Sequence, residues 1–495
     1  MDGWYRRVVT FLASNLFFTI VWVMSIVQAS WLAIVSRYPM AFDEAYHYNL
    51  VKLHANQLNP LFLSQPPGPA PYGALVRDPS WLHHYILSWP FRILDLLGAN
   101  EYAKIVTLRL CNVLFFAVGI YLFRKLLLRT RASRAAIHAA ILFYVLLPTV
   151  PLLAGQINYD NLQFPLIALG LLLACGAAES IRRKKIDALK LTACLGVLLT
   201  GTLNKFTYLP YLAAVVTYLG YLLVKVYGKK LPLLVRQFKV SWAKQQLLVR
   251  RAVLGLLATT SVLFVWFYGV NTVVYHNPVI QCHQVIEPSR CEGFEPWLRN
   301  YTLAQEAQKP SHNPLKFTVD WIGGMFYRTT FTINGATGPK RYNNSVPNGM
   351  AGTAILLTVA GVVLLLRYGK RIVSGDSALQ LILFCSVVYL VALWGRNYND
   401  FLHLGQMVAI NGRYLQPVLI PFTVLVIATY QWAFRLMPAV KLVILAVSLL
   451  GFLSGGGIIA FIHYSDADWY FEGKPWMISI NQTLRKLVAP LFLWM

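Results

Sequence analysis

The sequence predicts an all-α polytopic membrane protein of about eleven transmembrane helices, with ten and thirteen as the limits. Three observations lead there. Hydrophobic residues make up 57% of the 495 residues, charged residues only 13%, and the mean hydropathy is +0.53, whereas about 25% is charged in an ordinary soluble domain. Predominantly apolar stretches of about 18 residues or more recur along the chain, each long enough to cross a hydrocarbon layer. The 44 Lys and Arg, against 19 Asp and Glu, gather in alternate connections, as they do in the cytoplasmic loops of membrane proteins. A disordered chain, a disulfide-rich secreted module and a cytosolic enzyme are excluded. The formal charge of +25 reads as membrane topology and not as a nucleic-acid partner.

The expected spans cover 10–35, 103–124, 135–154, 161–178, 189–203, 207–226, 251–274, 350–367, 377–394, 413–434 and 440–462. The first run is too long for a cleavable signal peptide, and Arg6-Arg7 ahead of it places the N-terminus in the cytoplasm. Alternation then puts the basic connections inside, the largest being Lys225–Arg251 with eight basic residues and no acid. Four regions follow: a transmembrane module over 1–275 that includes the first outside loop at 36–102, a large outside loop at 276–349, C-terminal spans over 350–462, and an outside tail at 463–495 with an interfacial helix. Within 36–102 a helical run covers Asp43–Gln57. A Pro/Gly-rich stretch follows, and then an apolar helix at Ser80–Leu97 that carries His83, His84 and Pro90. Such a helix suits the interface better than a full crossing. Cys111, Cys175, Cys194 and Cys385 lie in apolar runs as small buried residues. Cys282 and Cys291 share a polar outside loop and form a disulfide candidate if that side is oxidising.

Chemistry concentrates on the outside. Asp43, Glu44 and His47 follow the first span at helical spacing, and carboxylates at a membrane boundary suit general-base work. The same residues equally suit a solvated helix start, and a metal site is a third reading. Asn158-Tyr159-Asp160-Asn161 sits in the very short connection before the fourth span. There the acid is either used or paired, or else part of a tight Asx turn. Arg413, in Asn411-Gly412-Arg413-Tyr414, is suited to gripping a phosphate or to snorkelling toward headgroups. Lys205 offers a second cation, and of the adjacent His83 and His84 at most one faces a shared cavity. Asn300, Asn343 and Asn481 begin N-x-Ser/Thr or equivalent acceptor triplets. The chain has no Walker P-loop, dinucleotide fingerprint, Gly-x-Ser-x-Gly elbow or His-Glu-x-x-His.

Taken in order, Asp43-Glu44-Ala45-Tyr46-His47, Arg109-Leu110, Asn158-Tyr159-Asp160-Asn161, Leu203-Asn204-Lys205 and Gly412-Arg413-Tyr414-Leu415 with Pro417 resemble the integral-membrane GT-C glycosyltransferases. The likeness is nearest to branches related to protein O-mannosyltransferases and aminoarabinose transferases. The resemblance implies the GT-C fold and a polyprenyl-phosphate sugar as donor, used on the outer face. It makes Asp43 the catalytic base, with Asp160 sharing that work or orienting the acceptor. Arg413 and Lys205 would hold the departing phosphate, while Glu44, His47, His83, His84, Asn158 and Tyr414 would line the substrates. The implied acceptor is a lipid, a glycan or a protein, among membrane lipids and without nucleic acid. No metal ligand is assigned and no cofactor is required, with a divalent Mg or Mn left open. The implied setting is a bacterial plasma membrane, or the endoplasmic reticulum on the same topology. Two competing readings remain. One is a lipid flippase or secondary transporter, which the lack of repeated halves and of midplane charges disfavours. The other is a non-catalytic assembly subunit with the same fold.

Overall fold

The computed structural model describes residues 2–40, 43–228, 230–306, 313–330, 348–465 and 467–492. Among them the regular structure is helical, apart from one isolated antiparallel bridge between Ser36 and Tyr470. The N-terminal run is two helices, α1 (Asp2–Ala13) and α2 (Asn15–Val35), because the Ser14 hydroxyl accepts from the Phe17 amide at 3.0 Å and starts a new helix. The long connection after α2 holds α3 (Glu44–Ala55) and α4 (Leu82–Leu96). Next comes α5 (Glu101–Leu127), capped by Asn100. The span expected over 135–154 is broken into α6 (Arg134–Leu146) and α7 (Thr149–Ala154). Pro148 between them has no amide hydrogen with which to continue α6.

Helices α8 (Asp160–Arg182), α9 (Ala188–Asn204), α10 (Leu209–Tyr227), α11 (Leu231–Ala243) and α12 (Leu247–Phe264) follow. The last runs through a π-helical turn at Val265–Gly269 into α13 (Val270–Tyr275). Beyond it lie α14 (Pro288–Cys291), α15 (Glu295–Glu306) and α16 (Pro314–Thr330). Cys282 and Cys291 are joined by a disulfide. The chain ends with α17 (Asn348–Val373), α18 (Ser377–Leu404), α19 (Gln416–Ala433), α20 (Pro438–Leu453), α21 (Gly457–Tyr464) and α22 (Pro475–Phe492).

Among the described residues nine helical stretches are long and apolar enough to cross a membrane, and α6 and α9 are apolar but shorter. Together they occupy the places of the eleven expected segments, and the protein is a multi-pass membrane protein. Helix α16 falls within the region expected to be an outside loop. It is packed into the helical body: Phe317, Trp321 and Met325 are buried, and the Thr149 hydroxyl donates to the Arg328 and Thr329 carbonyls. Asn343 of the acceptor triplets lies outside the described residues. Asn481 is buried and donates to the Ile462 carbonyl, so it is not open to modification in the folded chain.

Lipid is as apolar as leucine, so helices in a membrane are held by close packing and internal hydrogen bonds. The packing is clearest around α8, which lies against α5 and α9. Its Phe164 ring sits 5.9 Å from that of Phe116, 4.6 Å from Phe123 and 5.7 Å from Tyr144. A Cβ on Gly119 would stand 2.2 Å from Phe164 Cδ1, so only glycine lets α5 approach α8 this closely. The tail closes back on the end of α2: Trp469 Nε1 donates to Ser36 Oγ at 2.9 Å, and the Phe471 amide donates to the Val35 carbonyl at 2.9 Å. This pins the start of the connection after α2, where the acidic motif begins.

Candidate active site

A buried ion pair sets the position of that motif. Arg109 faces inward from α5, and its Nε and Nη2 donate to Glu44 Oε1 and Oε2 at 2.8 and 2.7 Å. Its remaining donors reach the carbonyls of Ala33, Ser36 and Arg37, tying the end of α2 to the start of α3. Glu44 also accepts from the Met40 amide at 2.7 Å and the Ile157 amide at 3.1 Å. A carboxylate has about four lone-pair sites, and all are taken here by protein donors. Glu44, expected among the substrate contacts, therefore has no oxygen left for a sugar and is fully buried. It positions Asp43, its neighbour, and Ile157, three residues before Asp160.

Asp43 itself adopts a left-handed backbone conformation, φ +68°, and its side chain does not cap α3. That conformation is unfavourable for a residue with a Cβ. The carboxylate points instead to Arg413, whose Nη2 donates to Oδ2 at 2.9 Å, and it is 63% exposed. Arg413 lies on the short 3₁₀ turn Gly412–Leu415 that leads into α19. The Asn411 side chain accepts from the Arg413 amide at 3.0 Å. Gly412 is indispensable to this turn, since a Cβ there would come within 2.2 Å of Thr329 Oγ1 and 2.6 Å of the Thr329 nitrogen.

Asp160 is the first residue of α8, and Asn158 Oδ1 accepts from its amide at 2.9 Å. Lys205, at the end of α9, donates to Asp160 Oδ1, and Arg413 Nε lies 4.0 Å from Oδ2. Asp43, Arg413, Asp160 and Lys205 thus form one run of alternating charges with no net charge. Asp43 is open at one end, while Asp160 and Lys205 are nearly buried. Aromatic rings wall the run: Lys205 Nζ stands 4.3 Å from the Tyr159 ring centroid and 5.0 Å from that of Tyr414, and the Tyr389 hydroxyl donates to the Tyr414 carbonyl at 2.7 Å. A narrow cavity between these groups is lined by Asp160, Lys205, Tyr389, Arg413 and Tyr414.

The histidines lie behind Tyr159. The His47 ring meets the Tyr159 ring edge-on at 4.5 Å, and His47 Nδ1 is 2.9 Å from His84 Nε2. His84 Nδ1 lies 3.1 Å from the Ser80 carbonyl, so it must carry the proton, leaving Nε2 to accept from His47. His83 Nε2 is bonded to Asn112 Oδ1 at 2.9 Å. Burial, aided by the neighbouring rings, holds His47 and His84 well below the ordinary histidine range. His83 and nearby His54 are pushed down to about 4 by burial. All four are neutral near pH 7. Among the described residues no three His, Cys, Asp or Glu side chains are grouped to hold a metal ion.

The structure therefore brings Asp43, Asp160, Lys205, Arg413 and Tyr414 together, with Asn158 and His47 beside them. His83 and His84 form a buried support beneath. Asn112 and His54 were not singled out from the sequence, and Tyr159 entered only within the Asn158–Asn161 motif. Arg109 was visible only as part of a motif, although a lone arginine inside an apolar run signals a buried partner.

No protein-family model and no curated protein sequence matches the chain. Among solved structures it is similar to the oligosaccharyltransferase AglB of Archaeoglobus fulgidus, determined with an inhibitory peptide and a dolichol-phosphate, at 12% identity over 94% of this chain and a TM-score of 0.43. It is also similar to ArnT of Cupriavidus metallidurans in its apo state, at 15% identity over 83% of this chain and a TM-score of 0.35. The chain spans 56% of the length of AglB and 77% of that of ArnT.

Proposed function

We propose that the protein is a GT-C-type membrane glycosyltransferase that moves a sugar from a polyprenyl-phosphate donor to an acceptor hydroxyl on the outer face, with inversion. The observation that carries this reading is the run Asp43–Arg413–Asp160–Lys205, in which an open carboxylate contacts Arg413 while Arg413 and Lys205 flank Asp160. The sequence resemblance supplies the donor class. In the reaction the acceptor oxygen attacks the anomeric carbon while its proton passes to Asp43. The bond from that carbon to the phosphate oxygen breaks, and the electron pair leaves on the polyprenyl phosphate. Arg413 and Lys205 face the charge developing there, where fixed cations stabilise a transition state most. Asp160 holds both cations in place before the donor arrives. A donor phosphate competes with Asp43 for Arg413, so donor binding would free the base as it places the leaving group.

The test is transfer of labelled sugar from a panel of polyprenyl-phosphate donors to membrane extract by purified protein. The native chain transfers and Asp43→Asn binds donor without transferring. A transporter reading would need charges at the membrane midplane, whereas this run lies at the ends of α8, α9 and the turn before α19.

A further inference from the structure

Three separate segments bring aromatic rings together next to Asp43. Tyr46, in the first turn of α3, stacks on Phe294 with ring centroids 6.1 Å apart and lies 5.9 Å from Tyr72. Tyr72 comes from the Pro/Gly-rich part of the connection after α2, and Phe294 from the turn that follows the Cys282–Cys291 disulfide and packs against it. The two loops are docked on each other. Arg290 donates to the Gly68 and Pro66 carbonyls, both at 2.7 Å, and the Ala70 amide donates to the Arg290 carbonyl at 2.9 Å. The Phe294 ring lies where a Cβ on Gly73 would meet it at 3.1 Å, and Gly73 has φ +75°.

Asp78 completes the group. It is partly buried, and the Ser80 amide donates to its Oδ1 at 2.8 Å. Among the described residues no cation pairs with it, and burial raises its carboxyl above the ordinary range. Burial raises the Tyr46 hydroxyl well above its ordinary range, and the charge of Asp78, followed by that of Asp43, adds to this. A carboxylate has about four lone-pair sites, so Asp78, held by the Ser80 amide, keeps acceptor capacity for a ligand.

We propose that Tyr46, Tyr72, Phe294 and Asp78 form the acceptor subsite and take a sugar ring, making the acceptor a carbohydrate. This rests on the glycosyltransferase reading. A sugar ring has an apolar C–H face and a rim of hydroxyl donors. The aromatic rings suit the face, and a single well-placed carboxylate suits the rim, as in pockets where a few polar groups fix orientation on an apolar wall. The same carboxylate repels an anionic sugar. Asp43 adjoins both Arg413 and Tyr46, so a sugar resting on Tyr46 brings a hydroxyl to the base that faces the donor phosphate.

The test measures binding apart from catalysis. Full-length protein in lipid nanodiscs is titrated by saturation-transfer NMR with methyl glucoside, methyl galactoside, methyl N-acetylglucosaminide, methyl glucuronide and a serine-containing peptide. Native protein and Asp43→Asn should bind at least one neutral glycoside and bind neither the glucuronide nor the peptide. Tyr46→Ala and Asp78→Asn should each weaken that binding at least tenfold, with Tyr72→Ala as the variant of choice if either fails to fold. Undiminished binding in any folded variant of the three, or no binding of any glycoside by native protein, overturns the proposal. Glycoside binding lost in these variants, with no transfer from any polyprenyl-phosphate donor, would instead defeat the glycosyltransferase reading alone.

Discussion

Replacing Glu44 with Gln should damage both the stability of the protein and the geometry of its acids. The side chain is fully buried and accepts four hydrogen bonds, two from Arg109 and one each from the Met40 and Ile157 amides. Glutamine keeps the volume, but it turns one accepting oxygen into a donor that faces donors. It also leaves the Arg109 guanidinium charged and buried without its partner. Breaking a buried pair from one side costs about 3–5 kcal/mol. Asp43 is mostly exposed, and Arg413, though nearly buried, keeps Asp160 beside it, so Asp43→Asn is the natural control. Thermal unfolding of purified protein in one detergent, followed by tryptophan fluorescence, compares the two. Glu44→Gln should unfold well below native protein and Asp43→Asn close to it. Converting Arg109 to Met in the Glu44→Gln background should recover part of the loss. Equal unfolding temperatures for Glu44→Gln and Asp43→Asn would refute the reasoning.

Gly412→Ala should force the turn away from Thr329 and displace Arg413, lowering transfer at least tenfold while the protein still inserts and purifies; normal turnover would show that the turn tolerates a Cβ. Arg413→Gln should weaken donor binding, read as displacement of a labelled polyprenyl phosphate, more than it weakens glycoside binding at Tyr46. His54 and His83 are neutral in the fold with values near 4, below their unfolded value of about 6.5. The unfolded chain therefore takes up protons first as pH falls. Stability is full above about pH 6.5 and declines toward pH 4, by up to about 3 kcal/mol for each histidine. His54→Phe should flatten that decline in a pH series of unfolding temperatures, and an unchanged slope would count against it.

The membrane architecture was legible because bilayer thickness imposes a length on every span, and that length shows in hydropathy alone. The departures have local causes: the Ser14 cap splits the first helix, and Pro148 breaks the third expected segment. Helix α16 escaped notice because Lys316, Asp320 and Arg328 lower the mean hydropathy of the segment. At the site, Asp43, Asp160, Lys205 and Arg413 stood out as charges at the edges of apolar runs. Their partnerships did not, since Asp43 meets Arg413 across 370 residues and Glu44 meets Arg109 across 65. Such distances are set by helix packing and leave no mark on local spacing. Glu44 looked as chemical as Asp43 from its position, and only burial separates a structural acid from an open one. Asp78 was hidden for the opposite reason: in a polar loop a single aspartate looks ordinary, and its isolation from cations appears only in the folded chain.

The most direct test of the central claim compares native protein with Asp43→Asn, each supplied with labelled polyprenyl-phosphate sugars and membrane extract. The account predicts label transferred to an acceptor by the native chain, with donor bound at least as tightly but no transfer by the variant. Full transfer by Asp43→Asn would contradict the assignment of the base. Movement of label across reconstituted vesicles, without transfer by either protein, would contradict the glycosyltransferase reading itself.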